Sequence, residues 1–211
     1  KSLPSFASGH NFFEILKKKF DIATKINFLL LLFIHHKDNQ TVLETEDVDG
    51  EIEFNGEDVL DMECFERSRN GFFIAHQSPP TLDGVNTLSL FSEFAKFDSP
   101  DARKIEIIRQ TKGVFKELSL PEDWTQRDFN HGASGGERKK NELAQAKLKT
   151  PRVLLLDEPD SGLEQSSRSQ VTDLIKSVCD DGGIVFLVTH DQLLQDSYPT
   201  KQIELSNGQT L

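Results

Sequence analysis

Two short stretches of this chain carry residue types that can handle a charged ligand. Val153-Leu154-Leu155-Leu156 is an apolar run, preceded by Pro151-Arg152 and closed by Asp157-Glu158-Pro159. A run that short, ended by acids and a proline, suits a strand buried on both faces of a parallel sheet. Asp157 and Glu158 then stand at the strand's carboxyl end, where open α/β sheets place their ligands. The second stretch, Ser134-Gly135-Gly136-Glu137, opens a polar helix running to about Lys149. Its glycines leave backbone N–H groups bare at the positive end of a helix, which is the making of an anion site. Taken singly, the first is also how a strand exits into a loop, and the second how a flexible turn reads.

The elements that position these residues follow from periodicity. Residues 51–54 alternate as a strand, and Asn55-Gly56 marks a tight turn with Val59, Leu60 and Met62 behind it. Residues 63–70 predict a short helix. Residues 71–75 predict a second buried strand, ending at His76-Gln77-Ser78-Pro79-Pro80. Residues 85–97 and 99–118 predict helices. The second has Ser99 as N-cap, Pro100 at the first helical position, and apolar Ile105, Ile108, Phe115 and Leu118. Residues 121–131 predict a loop. Val171, Leu174, Ile175 and Val178 recur at helical spacing, and Asp181-Gly182-Gly183 marks a turn. Residues 184–188 predict a third buried strand, ending at Thr189-His190-Asp191, and residues 202–205 with the Asn207-Gly208 turn predict a last edge strand.

Length and composition bound the possibilities. A chain of 211 residues holds one sizeable domain. Its net charge of −11 argues against a nucleic-acid backbone as partner, which needs clustered lysine and arginine. Cys64 and Cys179 lie far apart without metal-ligand spacing, the pattern of a reduced intracellular chain. Charge is unevenly spread. Residues 1–37 hold six lysines and two acids, whereas residues 38–211 hold 18 lysines plus arginines against 33 acids. The first segment has an amphipathic stretch, Asn11 to Phe20, and an apolar run, Phe28 to Ile34. That run is far short of the roughly 20 residues that cross a bilayer, so no membrane span is expected. An ordinary helix and strand, or a basic helix lying on a membrane, both suit it.

In this order, Ala133-Ser134-Gly135-Gly136-Glu137, Val153 to Glu158 and Asp160-Ser161-Gly162-Leu163 resemble the signature, Walker B strand and D-loop of the ABC-type ATPases. The resemblance covers roughly residues 41–211. It implies an α/β fold with a P-loop NTPase-like core, a mainly parallel sheet flanked by helices, and a helical subdomain at about 82–148. Residues 1–40 form an atypical segment ahead of it. ATP and Mg2+ are the implied cofactors. Asp157 is the implied magnesium residue, directly or through water, because this hard cation takes oxygen ligands and keeps several waters. Glu158 resembles the general base or water-positioning group, and His190 the switch histidine that contacts the γ-phosphate. Gln77, after the strand at 71–75, resembles the Q-loop glutamine, a magnesium and water contact. In that family the nucleotide lies between two such domains arranged head to tail. Ser134, Gly135, Gly136 and Glu137, with Asp160 of the D-loop, are thereby implied nucleotide contacts, the signature reaching ATP held by a second ATPase subunit.

Two stretches narrow the branch. Gly71 to Val85, with its Gln-Ser-Pro-Pro-Thr-Leu-Asp-Gly-Val run from Gln77, and Leu120 to Glu142, with Arg127 and a basic pair followed by Asn141, are similar to the ATPase subunit of the SUF iron–sulfur cluster assembly system. Glu164 stands where that family more often has aspartate. The resemblance implies a cytoplasmic or, in a photosynthetic eukaryote, plastid-stromal ATPase whose closure rearranges SUF scaffold subunits. The ATP-binding subunit of an ABC transporter is the alternative.

A phosphate cradle would complete the site. A P-loop needs Gly-Lys-Ser or Gly-Lys-Thr, whose glycine amides wrap the phosphates while the lysine neutralises them. None of the 13 glycines is followed by lysine, and none lies between Gly9 and Gly50. Residues 33–40, Phe-Ile-His-His-Lys-Asp-Asn-Gln, stand where the family pattern puts the loop. The loss coincides with the change in composition, so residues 1–40 read as foreign to the chain behind them, as a misplaced start or an unspliced stretch would be. A degenerate partner that only lends its signature, or an unrecognised loop that does the same work, would leave the same pattern. If the segment is foreign or the chain degenerate, the chain as written binds ATP poorly by itself.

Overall fold

The apolar run at Val153 forms a strand because its β-branched and leucine side chains can be covered on both faces, and four of its five residues are fully buried. The computed structural model describes residues 52–59, 61–76, 79–196, 205–206 and 209–210. Residues 1–40, Glu51, Leu60, Gln77, Ser78, Gln202 and the Asn207-Gly208 turn lie outside the described residues. The chain divides into two units, residues 68–200 and residues 1–67 with 201–211.

In the second of these units, β1 (Glu53–Phe54) and β2 (Glu57–Asp58) form an antiparallel hairpin. Asn55 and Gly56 turn it with φ of 56° and 87°, the paired positive values that a two-residue hairpin turn of this hand requires. Helix α1 (Cys64–Arg69) follows, and the buried Arg67 donates from Nε to the Val59 carbonyl at 3.1 Å.

The larger unit is built on a parallel sheet in the order β3 (Phe72–Ala75), β6 (Val153–Asp157), β7 (Ile184–Val188). Register places Ala75 opposite Leu156, and Asp157 opposite Val188. All three strands therefore end at one level. Between β3 and β6 run β4 (Leu82–Asn86), α2 (Thr87–Asp98), α3 (Lys104–Glu117), a 3₁₀ turn (Glu122–Gln126), β5 (Asp128–Phe129) and α4 (Gly135–Lys149). Helix α4 packs against β3 and against α5 (Gln165–Asp180), and α5 against β7. A short α6 (Gln192–Asp196) follows β7. Phe91 and Phe115 meet edge to face at 5.5 Å within the core shared by the helices and sheet. Further along the chain, in the smaller unit, β8 (Leu205–Ser206) pairs antiparallel with β9 (Gln209–Thr210).

Several elements depart from the sequence reading. Val85 lies in β4, paired antiparallel with β5, and the helix starts only at Thr87. Asn86 is its cap, accepting from the Ser89 N–H at 3.1 Å, a role its short amide fills well. Ser99 ends α2 instead of starting α3: its N–H donates to the Ala95 carbonyl, and Ala102 N–H turns back onto Ser99. The Ser-Pro pair thus closes a turn, and α3 begins at Lys104. The loop expected at 121–131 holds the 3₁₀ turn and β5, anchored by the buried Trp124 and Phe129. Strand β7 is less covered than its composition suggests. Phe186 is buried but its neighbours are half-buried, because among the described residues β7 pairs on one side only. Among the described residues no helix is long and apolar enough to cross a membrane.

Candidate functional site

The polar residues at the carboxyl ends of β6 and β7 come together because the two strands run in register to Asp157 and Val188. One residue later, the Glu158 N–H donates to the Val188 carbonyl at 2.9 Å. Glu158 holds this position with φ of 43°, a left-handed conformation uncommon outside glycine and frequent where a side chain must be re-aimed. Its Oε1 lies 3.6 Å from His190 Nε2, with the histidine side chain 90% exposed. Asp157, Glu158 and Asp160 are all half-buried, so each carboxylate has one side toward solvent.

The segment after β7 is pinned on both sides of His190. Thr189 Oγ1 donates to Asp160 Oδ1 at 2.8 Å and accepts from the Asp191 N–H at 2.9 Å. The nearly buried Asp191 carboxylate pairs with Arg168 on α5 and accepts from the Leu193 N–H at 2.8 Å, which caps α6. The exposed imidazole is thus mounted on a fixed backbone.

Ser134 heads α4 with a full capping box. Glu137 N–H donates to Ser134 Oγ at 3.3 Å, and the Glu137 carboxylate accepts from the Ser134 N–H at 2.8 Å. Those bonds, from the Ser134 hydroxyl first and its backbone second, hold the Glu137 carboxyl below the usual range. Ser134 and Gly135 are exposed. Gly136 lies against the D-loop: a Cβ there would stand 2.8 Å from the Gly162 carbonyl oxygen, so only glycine fits. The two glycines the sequence singled out therefore differ, since a Cβ on Gly135 would meet nothing within 4 Å.

Of the sequence-predicted residues, the structure brings Asp157, Glu158, Asp160 and His190 to one strand-end cluster. It places Ser134, Gly135, Gly136 and Glu137 at the start of α4, touching the D-loop through Gly136. Gln77 lies outside the described residues. Among the described residues no group of three or more His, Cys, Asp or Glu side chains stands ready to hold a metal ion. A single strand-end carboxylate such as Asp157 still fits magnesium, which is commonly held by one or two carboxylates, substrate phosphates and water.

The sequence reading missed a second polar set behind the cluster. Lys139 and Glu142, 3% and 4% exposed, lie one and two turns into α4. Lys139 Nζ donates to the Asp157 carbonyl at 3.4 Å and to the His76 carbonyl, and Glu142 Oε1 accepts from the His76 N–H at 2.7 Å. Burial pushes the Glu142 carboxyl up to about 7, against the opposing pull of the His76 N–H and of Lys139. Burial likewise lowers Lys139, partly offset by Glu142 and Asp157. The His76 imidazole is lowered by its own burial and by the Lys139 charge, with Asp157 opposing. A signal existed: Lys139, Glu142, Leu143 and Ala146 share one helical face, so the apolar phase of α4 runs through both charges. An apolar cleft of about 90 Å³ lined by Phe73, Phe91, Phe94, Ile107 and Leu148 contains none of the predicted site residues.

The ABC transporter family profile matches residues 39–161. "ABC transporter I family member 6, chloroplastic" of Arabidopsis thaliana is 30% identical over 168 residues, covering 77% of this chain and 50% of that protein. "Probable ATP-dependent transporter SufC" of Escherichia coli (strain K12) is 31% identical over 154 residues, covering 70% of this chain and 61% of its own length. The chain thus spans about half of the first of these relatives and about three fifths of the second. Among solved structures, the dimeric post-hydrolysis state of the ATP-binding cassette MJ0796 bound to ADP and Pi superposes with a TM-score of 0.63 at 20% identity. It covers 82% of this chain and 71% of that one. A second dimeric structure of that cassette gives a TM-score of 0.65 at 19% identity, covering 83% of this chain and 72% of that one. At those identities the structures establish the fold, an ABC cassette core. With more than half its length inside the family match, the chain belongs to the ABC transporter family of ATP-binding cassettes.

Proposed function

We propose that the chain is an ABC-type ATPase subunit of SUF-like iron–sulfur cluster assembly, acting at a head-to-tail dimer with a second ATPase subunit and moving SUF scaffold subunits. The observation that carries the ATPase reading is the strand-end cluster, in which a strained Glu158 faces His190 at 3.6 Å beside Asp157 and Asp160. The relative named SufC supports the branch, and the relative named chloroplastic supports a plastid setting.

In this reading Glu158 would orient the attacking water and accept its proton, the work a half-buried carboxylate at a strand end is suited to. His190 offers an imidazole N–H to the γ-phosphate, its backbone fixed by Thr189 and Asp191. Asp157 would hold Mg2+, which supplies charge neutralisation on the phosphates. Ser134 and the first amides of α4 present an exposed, positively polarised terminus to nucleotide held by the partner subunit. The cradle for the nucleotide that Ser134 faces is the partner's own, and residues 1–211 contain no Gly-Lys-Ser/Thr that would hold a nucleotide against Asp157, Glu158 and His190.

The test mixes the purified chain with a P-loop-bearing homologue and follows phosphate release. Stimulation that disappears in Ser134→Arg supports the trans role and stimulation indifferent to Ser134→Arg refutes it, while turnover by the chain alone that is lost in Glu158→Gln places hydrolysis at its own cluster. A transporter-type role is favoured by one relative, "Probable ABC transporter ATP-binding protein spyM18_0273" of Streptococcus pyogenes serotype M18 (strain MGAS8232), 32% identical over 148 residues. Co-purification with a membrane permease instead of SUF scaffold subunits would decide for it.

A further inference from the structure

Helix α5 breaks local rules at its start. Its first turn holds no acid and its cap makes no side-chain hydrogen bond, yet Arg168 stands there, a cation where the helix dipole is positive. The Arg168 Nε is also buried without a hydrogen-bond partner among the described residues. Both features weaken α5. Residues that break a local rule are expected where they serve something outside their own element.

What Arg168 serves is visible in its contact. Arg168 Nη1 donates to Oδ2 of Asp191, a side chain only 6% exposed, and a carboxylate that buried needs its charge matched. Asp191 Oδ1 accepts from the Leu193 N–H at 2.8 Å, and the Asp191 carbonyl accepts from the Gln195 N–H at 3.2 Å. Gln195 Nε2 reaches back to the Thr189 carbonyl at 3.2 Å, and Thr189 Oγ1 accepts from the Asp191 N–H at 2.9 Å. Asp191 is thus the hub of a closed set of bonds through both neighbours of His190, while the imidazole stays exposed. Stability alone does not account for the pair, since an apolar pair of similar size commonly does as well. Helix α6 has five residues, too few to hold its shape unaided, so the place where it begins depends on Asp191. What the pair supplies is a fixed course for the main chain leaving β7.

We propose that Arg168 is a positioning residue for His190: by holding Asp191 from the first turn of α5, it fixes the main chain on both sides of that histidine and so keeps the imidazole facing Glu158. The mount stands on these contacts; its effect on turnover rests on the ATPase reading above.

The experiment uses the full chain in wild-type, Arg168→Met, Arg168→Lys and Asp191→Asn forms. Methionine keeps much of the arginine stem without the charge. Lysine keeps a cation, and because Arg168 hydrogen-bonds Asp191 through Nη1, a single ammonium can stand in for it. Amide exchange is followed by mass spectrometry in peptides covering 188–196, with β3 and β6 peptides as internal controls. Arg168→Met and Asp191→Asn should speed exchange in 188–196 by about tenfold or more while the controls stay within about twofold, and Arg168→Lys should keep most of the protection. The His190 imidazole resonance, identified among the six histidines by its loss in His190→Asn, should be single and sharp in wild type and Arg168→Lys and broadened or split in Arg168→Met. In phosphate release by the chain alone, Arg168→Met should lower kcat by about tenfold while KM for ATP stays within about twofold, and Arg168→Lys should recover the rate. An exchange rate and a His190 resonance unmoved by Arg168→Met overturn the proposal, as does exchange that rises equally in β3 and β6, or a kcat indifferent to Arg168→Met. If the wild-type chain releases no phosphate, hydrolysis at its own cluster fails, and exchange with the His190 resonance still decides whether Arg168 positions the histidine.

Discussion

A glutamate buried against a lysine in the middle of a helix should make the stability of the whole unit depend on pH. The Glu142 carboxyl is pushed from its ordinary value of 4.5 up to about 7. A carboxyl raised in the folded state binds its proton more tightly there than in the unfolded chain. Its contribution is therefore complete below pH 4.5 and is lost as the pH rises through 7. For that pair of values, raising the pH from about 5 to about 8 removes about 2.5 kcal/mol of stability through this one group. Urea unfolding of wild type and Glu142→Gln across that range isolates it, because every other titrating group is common to both. The wild type should lose stability relative to the variant by about that amount as the pH rises. Lys139 does not mask the difference. Its amine is held low by burial, and removing the Glu142 carboxylate lowers it further, which would favour the variant still more at high pH. Parallel wild-type and variant slopes, within about 0.5 kcal/mol over the range, would refute the reasoning.

Two further predictions rest on packing. Gly136→Ala should destabilise the unit by about 1–3 kcal/mol, since its Cβ meets a backbone carbonyl that cannot swing away. Gly135→Ala, which meets nothing, should be neutral or stabilising by up to about 1 kcal/mol through helix propensity; thermal melts of the two variants should therefore shift in different ways. Leu155→Ala removes a side chain that is 1% exposed at the middle of the sheet and should cost about 2–5 kcal/mol by urea unfolding, while a substitution at the exposed Ile105 should cost little.

What the sequence made legible was whatever local chemistry decides alone. The four-residue apolar run needed cover on both faces wherever it went, so the position of Asp157 and Glu158 at a strand end followed. Ser134 with Glu137 is a capping box in any context, and its helix began where the pattern said. What local chemistry left open was decided by neighbours far along the chain. Val85 joined a strand because residues 128 and 129, more than 40 positions away, pair with Asn86 and Leu82 on either side of it. Ser99-Pro100 is equally good at opening a helix and at ending one, and the packing of α2 settled which.

The same distinction explains why the catalytic candidates were visible and the residues beneath them were not. Asp157, Glu158 and His190 gain their chemical meaning from lying at the ends of strands, and strand ends can be read from apolar runs. Lys139, Asn141 and Glu142 gain theirs from which face of α4 is inward, and a helix whose mean composition is polar conceals that face. The spacing of Leu143 and Ala146 marks that face, and its packing against β3 shows that the charges on it are buried too. A buried charge is tolerated where main-chain groups would otherwise go unpaired, and the exit of β3 creates such groups at His76. The polarity of α4 is therefore a consequence of where the neighbouring strand stops. The helix that presents Ser134 at one end also pairs, through Lys139 and Glu142, with the main chain of His76.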